Sequence, residues 1–247
     1  MYKGKRDIKK RLEMNIFAIA DLHLGIGIDK TMDMFGPHWE DHTKRLKESW
    51  DKVVNETDLV LVPGDISWAI NFEEAKTDIE FLGSLPGKKL IIRGNHDYWW
   101  ASLKKLREFL PPDIIPMQNT AFVYEDIGIA GTRLWIDPDL NLEGASSNDK
   151  KIFDRELNRL GISLSALPKQ IHKRIIMTHF PPISLDGRAG RAVEVAGEYG
   201  CDIWVFGHMH LGDLDYSGFN RTIGSTRYEF VSADYLDFRP KLISAKE

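Results

Sequence analysis

Short apolar runs alternate with amphipathic stretches along most of the 247-residue chain. Each run is brief and ends in a turn-forming or polar residue, which is typical of strands buried on both faces. The runs comprise residues 15–20, 59–62, 90–92, 175–177 and 203–206. Because amphipathic stretches separate them, we expect strands that alternate with helices, the pattern of an α/β protein.

Helical periodicity fills the gaps between these runs. Apolar residues recur every three or four positions in 39–56, 72–82, 103–110 and 153–164, and a fifth helix is expected within 186–199. Asn71 and Glu74 have the spacing of a capping box. Residues 121–136 and 214–243 instead alternate with a period of two, which predicts hairpins and therefore a mixed sheet.

Composition limits the function classes. Hydrophobic residues make up 43% and charged residues 28%, enough for one substantial core. The net charge of -4 argues against a broadly basic nucleic-acid surface. Cys201 is the single cysteine, so no internal disulfide can form, and no apolar run approaches the roughly 20 residues of a membrane span. We therefore expect a cytoplasmic protein without a membrane partner, whose oligomeric state the sequence leaves open.

The first thirteen residues differ from the rest because they are basic and poor in apolar side chains. We expect residues 1–13 to be an upstream leader outside the fold and residues 14–247 to form one domain, with Met14 as the natural start. A basic arm that binds a partner is the alternative.

Each apolar run is followed by residues of metal-ligand type. The segments are Asp21-Leu22-His23, Gly64-Asp65, Gly94-Asn95-His96-Asp97, His179, and Gly207-His208-Met209-His210. Sites in α/β sheets form at the carboxyl ends of strands, so five such ends can converge on one crevice.

The spacing within these segments has a physical reason. In an extended chain, residues two apart face the same side, so Asp21 and His23 can reach one point, as can His208 and His210. The glycines allow tight turns close to the site. A mixture of imidazole and oxygen donors favours Mn, Fe, Zn, Co or Ni over Mg or Ca.

This ordered set of segments resembles the calcineurin-like metallophosphoesterase superfamily, over residues 15–210 or beyond. The resemblance implies a four-layer α-β-β-α sandwich of two mixed sheets flanked by helices. It also implies two divalent or trivalent metal ions. Asp21, His23, Asp65 and His210 would bind one ion, and Asp65, Asn95, His179 and His208 would bind the other.

The resemblance further implies a reaction in which a metal-bridging hydroxide attacks phosphorus. His96 would act as a catalytic residue beside the leaving oxygen, as a proton donor or by stabilising charge. Asp97 is the second catalytic candidate, which would orient a ligand or His96.

The chain also resembles a narrower group of small bacterial predicted phosphohydrolases, in residues 64–68 and 93–100. It departs from protein serine/threonine phosphatases, which carry a second Asp and an Arg where Trp68 and Ala69 stand here. A protein-phosphatase activity is therefore disfavoured.

Several other side chains have both a structural and a functional interpretation. Trp68, Tyr98, Trp99, Trp100 and Trp135 either pack the core or form an aromatic rim that stacks a flat leaving group. Arg133 and Arg188 either are solvated or pair with substrate phosphate. For substrate binding we single out Arg133, Arg188 and Trp68. We interpret His38, His42 and His172 as surface or helix-face residues.

The sequence thus predicts a metal-dependent phosphohydrolase of a small-molecule phosphate ester. The aromatic residues favour a phosphodiester or nucleotide substrate, with a phosphomonoesterase as the alternative. A non-catalytic, metal-binding scaffold protein of the same fold is the competing class. The charge balance disfavours nucleic acid as the substrate without excluding it.

Overall fold

The computed structural model of the chain describes residues 14–28, 30, 32–140, 146–212 and 214–245. The leader expected at residues 1–13 lies outside the described residues. Strands and helices are numbered along the described chain.

The first sheet is mixed. Four of its strands are parallel and its last strand is antiparallel, because it returns beside the first. The strands are β1 (Ile16–Ala18), β2 (Leu59–Val62), β3 (Lys88–Ile91), β4 (Ile114–Pro116) and β11 (Lys241–Ser244). Their order across the sheet is β11-β1-β2-β3-β4.

The second sheet is also mixed, with a parallel centre and an antiparallel strand at each edge. Its strands are β5 (Ala121–Tyr124), β6 (Ile127–Thr132), β7 (Lys173–Thr178), β8 (Ile203–Phe206), β9 (Arg221–Ile223) and β10 (Thr226–Phe230). Their order is β5-β6-β7-β8-β10-β9.

Within the described part of the chain, five α-helices cover the sheets. They are α1 (His42–Asp51), α2 (Phe72–Ser84), α3 (Leu103–Phe109), α4 (Ser147–Ser165) and α5 (Arg191–Gly197). Short 3-10 turns lie at Ile26–Ile28, Asp33–Phe35, Pro37–Trp39 and Tyr216–Phe219. Among the described residues, no helix is both long and apolar enough to cross a membrane.

Alternate side chains of each strand enter different cores. On β2, Leu59 and Leu61 join a core between the two sheets, whereas Val60 and Val62 pack under α1, α2 and α3. In the same way, β8 directs Ile203 and Val205 between the sheets, and Trp204 and Phe206 towards α4 and α5. Three apolar layers therefore lie between four layers of secondary structure. The predicted four-layer α/β sandwich is confirmed.

The two sheets meet beyond the ends of β1 and β10. The backbone N–H of Ala20 donates to the carbonyl of Val231 (2.7 Å), and that of Ala233 donates to the carbonyl of Ala20 (2.9 Å). These bonds join the two sheets at the carboxyl end of β1, so the strand ends of both sheets share one edge of the molecule.

Two predicted elements differ from the structure. The helix expected over 39–56 is shorter, because the left-handed backbone of Asp41 (φ 52°) separates Trp39 from α1. The hairpin expected over 214–243 is limited to β9 and β10. Two consecutive left-handed residues, Asp237 and Phe238, then reverse the chain towards β1, where β11 pairs in the other sheet.

Candidate metal centre

The seven predicted metal ligands follow the ends of five parallel strands. Asp21 and His23 follow β1, Asp65 follows β2, Asn95 follows β3, His179 follows β7, and His208 and His210 follow β8. Three of these strands belong to the first sheet and two to the second. We call these seven side chains the ligand cluster; the contacts described below join all of them.

One group of donors combines Asp21, His23 and His210, whose donor atoms all lie within 4.8 Å of one another. The Nε2 atoms of His23 and His210 are only 3.0 Å apart. Asp21 and His23 are fully buried. One carboxylate and two imidazoles therefore face a common point.

A second group combines Asp21, Asp65 and His179 within the same limit of 4.8 Å. The Nε2 atom of His179 lies 3.5 Å from Asp65 Oδ2 and 2.7 Å from Asn95 Oδ1. The Asn95 oxygen is also 3.0 Å from His208 Nδ1. Asn95 therefore joins His208 to the second group, and Asp21 belongs to both groups.

The backbone of the cluster is unusual for non-glycine residues. Asp21 (φ 59°), His23 (φ 44°), Asp65 (φ 52°) and His208 (φ 77°) are all left-handed. Such backbone costs free energy and is concentrated at functional sites. The expected reason for the proximity of Asp21 and His23 is therefore wrong: left-handed turns, not an extended chain, bring the two side chains together.

Glycine is required where strand ends approach one another. A Cβ atom on Gly94 would lie 2.0 Å from Asp65 Oδ1, and one on Gly207 would lie 2.1 Å from Asp21 Oδ2. Real Cβ atoms do not approach this closely, so both motif glycines leave space for a ligand carboxylate.

Three groups outside the predicted motifs orient the ligands. The ring Nδ1–H of His179 donates to the carbonyl of Pro63 (2.9 Å), which leaves its Nε2 facing Asn95 and Asp65. Ser232 donates its hydroxyl to Asp21 Oδ2 (2.8 Å), and Asp234 Oδ2 lies 3.4 Å from His210 Nδ1. Ser232 and Asp234 follow β10, so the strand-end rule could have found them had this segment not been assigned to a hairpin.

Burial and charge shift the pKa values of the cluster. Burial raises the pKa of Asp21 well above its usual value, and it lowers the pKa of His179 to about 3. Although burial opposes the change, His179 and His23 lower the pKa of Asp65 to about 2. Burial would lower the pKa of His210, but Asp234 and Asp21 together raise it to about 9.

These donors fit a metal centre. Asp21 Oδ1 is buried and lacks a hydrogen-bond partner among the described residues. A buried polar atom without a partner costs free energy unless a ligand satisfies it. The mixed imidazole, carboxylate and amide donors suit Mn, Fe, Zn, Co or Ni.

His96 and Asp97 lie beside the cluster in different ways. The half-buried His96 ring is 5.6 Å from the His23 ring and 4.5 Å from the Trp68 ring. Burial lowers its pKa. Asp97 is fully buried, and its carboxylate accepts backbone N–H groups from Asp65 (2.9 Å) and Gly94 (2.8 Å). Asp97 therefore contacts the backbone of Asp65, one of the predicted metal ligands.

The remaining candidate residues separate into two sets. Trp99 and Trp100 are buried in the core under the helices, and the Trp135 ring packs at a tilt against Phe180. Trp68 is half-buried and stacks on His23 with ring centroids 4.8 Å apart, whereas Tyr98 is 59% exposed. Only Trp68 and Tyr98, of these five aromatics, flank His96.

The two candidate arginines have different environments. The guanidinium of Arg133 is largely buried and lies 3.6 Å from Glu156. Arg188 lies on an exposed turn, where its Nε is 3.2 Å from Asp186 Oδ2. Arg133 therefore lines a protein cavity, whereas Arg188 is exposed.

Comparison with known proteins identifies a family with this fold and with metal-binding side chains. The sequence signature of the calcineurin-like phosphoesterase family matches residues 14–212. The chain belongs to this family of metal-dependent phosphoesterases. The predicted resemblance is confirmed.

Individual relatives are distant. An 87-residue segment is 37% identical to the Gene 66 protein of Mycobacterium phage D29, and the match covers 34% of this chain and 40% of that protein. Among solved structures, phosphopantetheinyl hydrolase (PptH) from Mycobacterium tuberculosis is 13% identical with a TM-score of 0.56, and the match covers 94% of this chain and 96% of that one. AQ665 from Aquifex aeolicus, a protein of unknown function, is 16% identical with a TM-score of 0.51, and the match covers 92% and 95%. These likenesses show a shared fold.

Proposed function

We propose that the chain hydrolyses a phosphate ester of a small molecule with two metal ions. One observation carries the proposal: two groups of donors, each with a carboxylate and at least one imidazole, adjoin each other and share Asp21. Two adjacent donor groups suit a two-metal centre, whereas a single ion would leave part of the ligand cluster without a metal ion to bind.

In this proposal Asp21, His23, Asp65 and His210 hold one ion, and Asp65, Asn95, His179 and His208 hold the other. The position of Asp65 supports its shared role. Its Oδ2 lies 3.7 Å from His23 Nε2 and 3.5 Å from His179 Nε2, one from each set. Its Oδ1 accepts the backbone N–H of His96 (2.8 Å), which orients Oδ2 towards the imidazoles.

When bound, the two ions would lower the pKa of a water and polarise the phosphoryl oxygens. The chain's own residues supply the rest. His96 is proposed to donate a proton to the leaving oxygen or to stabilise its charge, because its ring lies beside the cluster and partly faces solvent. Asp97 is proposed to position Asp65 through the backbone, without touching substrate.

Trp68 and Tyr98 support a phosphodiester or nucleotide substrate. Their rings lie 4.5 and 6.4 Å from the His96 ring, the proposed proton donor. The ammonium of Lys30 also lies over the Trp68 ring, with its Nζ 3.6 Å from the ring centroid. Because His23 and Lys30 already contact the Trp68 ring, a flat leaving group would stack on the exposed Tyr98 ring beside it. A phosphomonoesterase remains the alternative. Arg188 as a substrate contact and a cytoplasmic location stay predictions of the sequence.

A substrate panel tests the proposal. A phosphomonoester, a phosphodiester, cyclic nucleotides and single-stranded nucleic acid are each assayed with Mn, Fe, Zn, Co, Ni and Mg. We expect turnover of at least one ester with a transition metal and little with Mg. Absence of turnover with every metal and ester, in protein that binds metal, would support a non-catalytic scaffold instead.

A further inference from the structure

A small cavity of about 110 Å³ lies between the carboxyl ends of β3 and β6. Three guanidinium groups line it, those of Arg93, Arg133 and Arg159, together with a single carboxylate, that of Glu156. We call this cavity the arginine pocket. Its volume suits one tetrahedral anion rather than a large ligand.

Glu156 does not balance the three arginines. Its Oε1 lies 2.6 Å from Arg159 Nη1 and 3.6 Å from Arg133 Nη2, and its Oε2 accepts the hydroxyl of Thr132. Both of its oxygens thus already have a partner. Among the charged groups that line the pocket, two positive charges remain in excess.

Arg133 retains an unused donor. Its Nε is buried and has no hydrogen-bond partner among the described residues. Trp135 holds the guanidinium from one side, with the Arg133 Cζ 4.5 Å from the ring centroid. Burial also lowers the pKa of Arg133, although Glu156 opposes this change. A rigid guanidinium with a free, dehydrated N–H is well suited to bind an anion.

The pocket is built from the same segments as the ligand cluster. Arg93 precedes Gly94 and Asn95, and its Nε donates to the carbonyl of Asp97 (3.2 Å). The carbonyl of Arg133 accepts the backbone N–H of His179 (3.1 Å). The charge of Arg133 also acts on His179 and Asp65, so the arginine pocket lies close to the ligand cluster.

We propose that the arginine pocket binds a second phosphate group of the substrate, separate from the one that is hydrolysed. This rests on the proposed function and narrows the substrate to small molecules with at least two phosphate groups. The small volume, the charge excess and the free Arg133 N–H all suit a phosphate.

The test uses phosphonates, whose carbon–phosphorus bond resists hydrolysis, so it needs no turnover. The manganese-loaded full chain is titrated by calorimetry with alkylphosphonates, α,ω-alkanediphosphonates of three to six carbons, and inorganic phosphate. We expect at least one diphosphonate to bind about tenfold more tightly than the monophosphonate of equal length, the factor of one charge-assisted hydrogen bond.

Variants assign the effect to the pocket. Arg133→Gln and Arg159→Gln should each reduce the ratio of the two affinities to about one. Arg155→Gln, on the exposed face of α4 one turn earlier, should keep the wild-type ratio. Arg159 is 43% exposed, so its variant should fold even if Arg133→Gln does not.

Two results would overturn the proposal. One is that no diphosphonate binds more tightly than its monophosphonate, even if inorganic phosphate binds on its own. The other is that the ratio survives in both variants of the pocket. Failure of the substrate panel with every metal would contradict the proposed function but leave this titration interpretable.

Discussion

The carboxylate of Asp97 accepts the backbone N–H of Asp65 at 2.9 Å. The same side chain accepts N–H groups from Ile66 (2.9 Å), Ser67 (3.2 Å) and the indole of Trp99 (3.0 Å). Asp97, which follows β3, therefore fixes the loop of residues 65–67 that follows β2. Burial, followed by the charge of Asp65, raises the pKa of Asp97 to about 6.

Replacement of Asp97 by Asn should destabilise the protein. The amide can accept from only one side, so it leaves the N–H groups of Asp65 and Gly94, or those of Ile66 and Ser67, without an acceptor. We expect the free energy of unfolding to fall by about 2–4 kcal/mol. Urea unfolding measures this, with the exposed Asp126→Asn as the control. An unchanged midpoint in Asp97→Asn would show that these hydrogen bonds contribute little.

Replacement of His96 by Ala should reduce catalysis without removing metal. His96 is outside both groups of donors, and it is partly exposed beside them. We expect kcat to fall by about 10²–10⁴-fold, the usual contribution of a positioned acid or base. Metal content and thermal melting should match the wild type. Equal activity in the two proteins would exclude a catalytic role for His96.

Much of the candidate site was predictable from the sequence, because each predicted ligand follows a short apolar run. Such runs form buried parallel strands whose carboxyl ends share an edge, as β2 and Asp65 illustrate. The backbone conformation was not predictable in this way. Asp21 and His23 adopt left-handed conformations that only tertiary contacts can enforce.

The supporting residues were also missed, for a different reason. Asp234 reaches His210 because β10 lies beside β8, an arrangement that no local pattern encodes. The arginine pocket combines Arg93, Arg133 and Arg159, which are far apart in the chain. Local periodicity therefore predicts the strand-end ligands, whereas the groups that surround them depend on the order of strands in each sheet.

Metal analysis should count two ions per chain. Replacement of His179 by Ala removes a buried imidazole whose Nε2 faces Asp65 and Asn95, so we expect about one ion to be lost. His172→Ala is a matched control, since His172 is exposed. Plasma mass spectrometry after dialysis gives the stoichiometry. A wild-type count of one, or equal losses in both variants, would contradict the two-metal assignment.

The single cysteine should be unreactive in the native protein. Burial raises the pKa of Cys201 to about 12, and its thiol donates to the carbonyl of Ile203 (3.2 Å). At pH 8 only about one thiol in 10⁴ is then a thiolate, the reactive form. We expect a disulfide reagent to label the native protein far more slowly than the same chain in denaturant. Labelling of the native protein at the rate of a free thiol would contradict this pKa.

A pair of glycine variants separates the demands of the site from those of the fold. A Cβ on Gly94 would lie 2.0 Å from Asp65 Oδ1 and 2.3 Å from the Asp65 backbone nitrogen, and the nitrogen cannot rotate away. Gly94→Ala should therefore displace Asp65, lower the free energy of unfolding by about 1–3 kcal/mol, and reduce metal content.

At Gly161, the same substitution by alanine should have the opposite effect on stability. It lies within α4, and a Cβ there would meet nothing within 4 Å. Alanine has less freedom than glycine in the unfolded chain, so Gly161→Ala should raise the free energy of unfolding by about 0.5–1 kcal/mol and retain metal. Denaturant unfolding and metal analysis of both variants provide the comparison. If Gly94→Ala retained its metal as fully as Gly161→Ala, the close approach of Gly94 to Asp65 would not be required for metal binding.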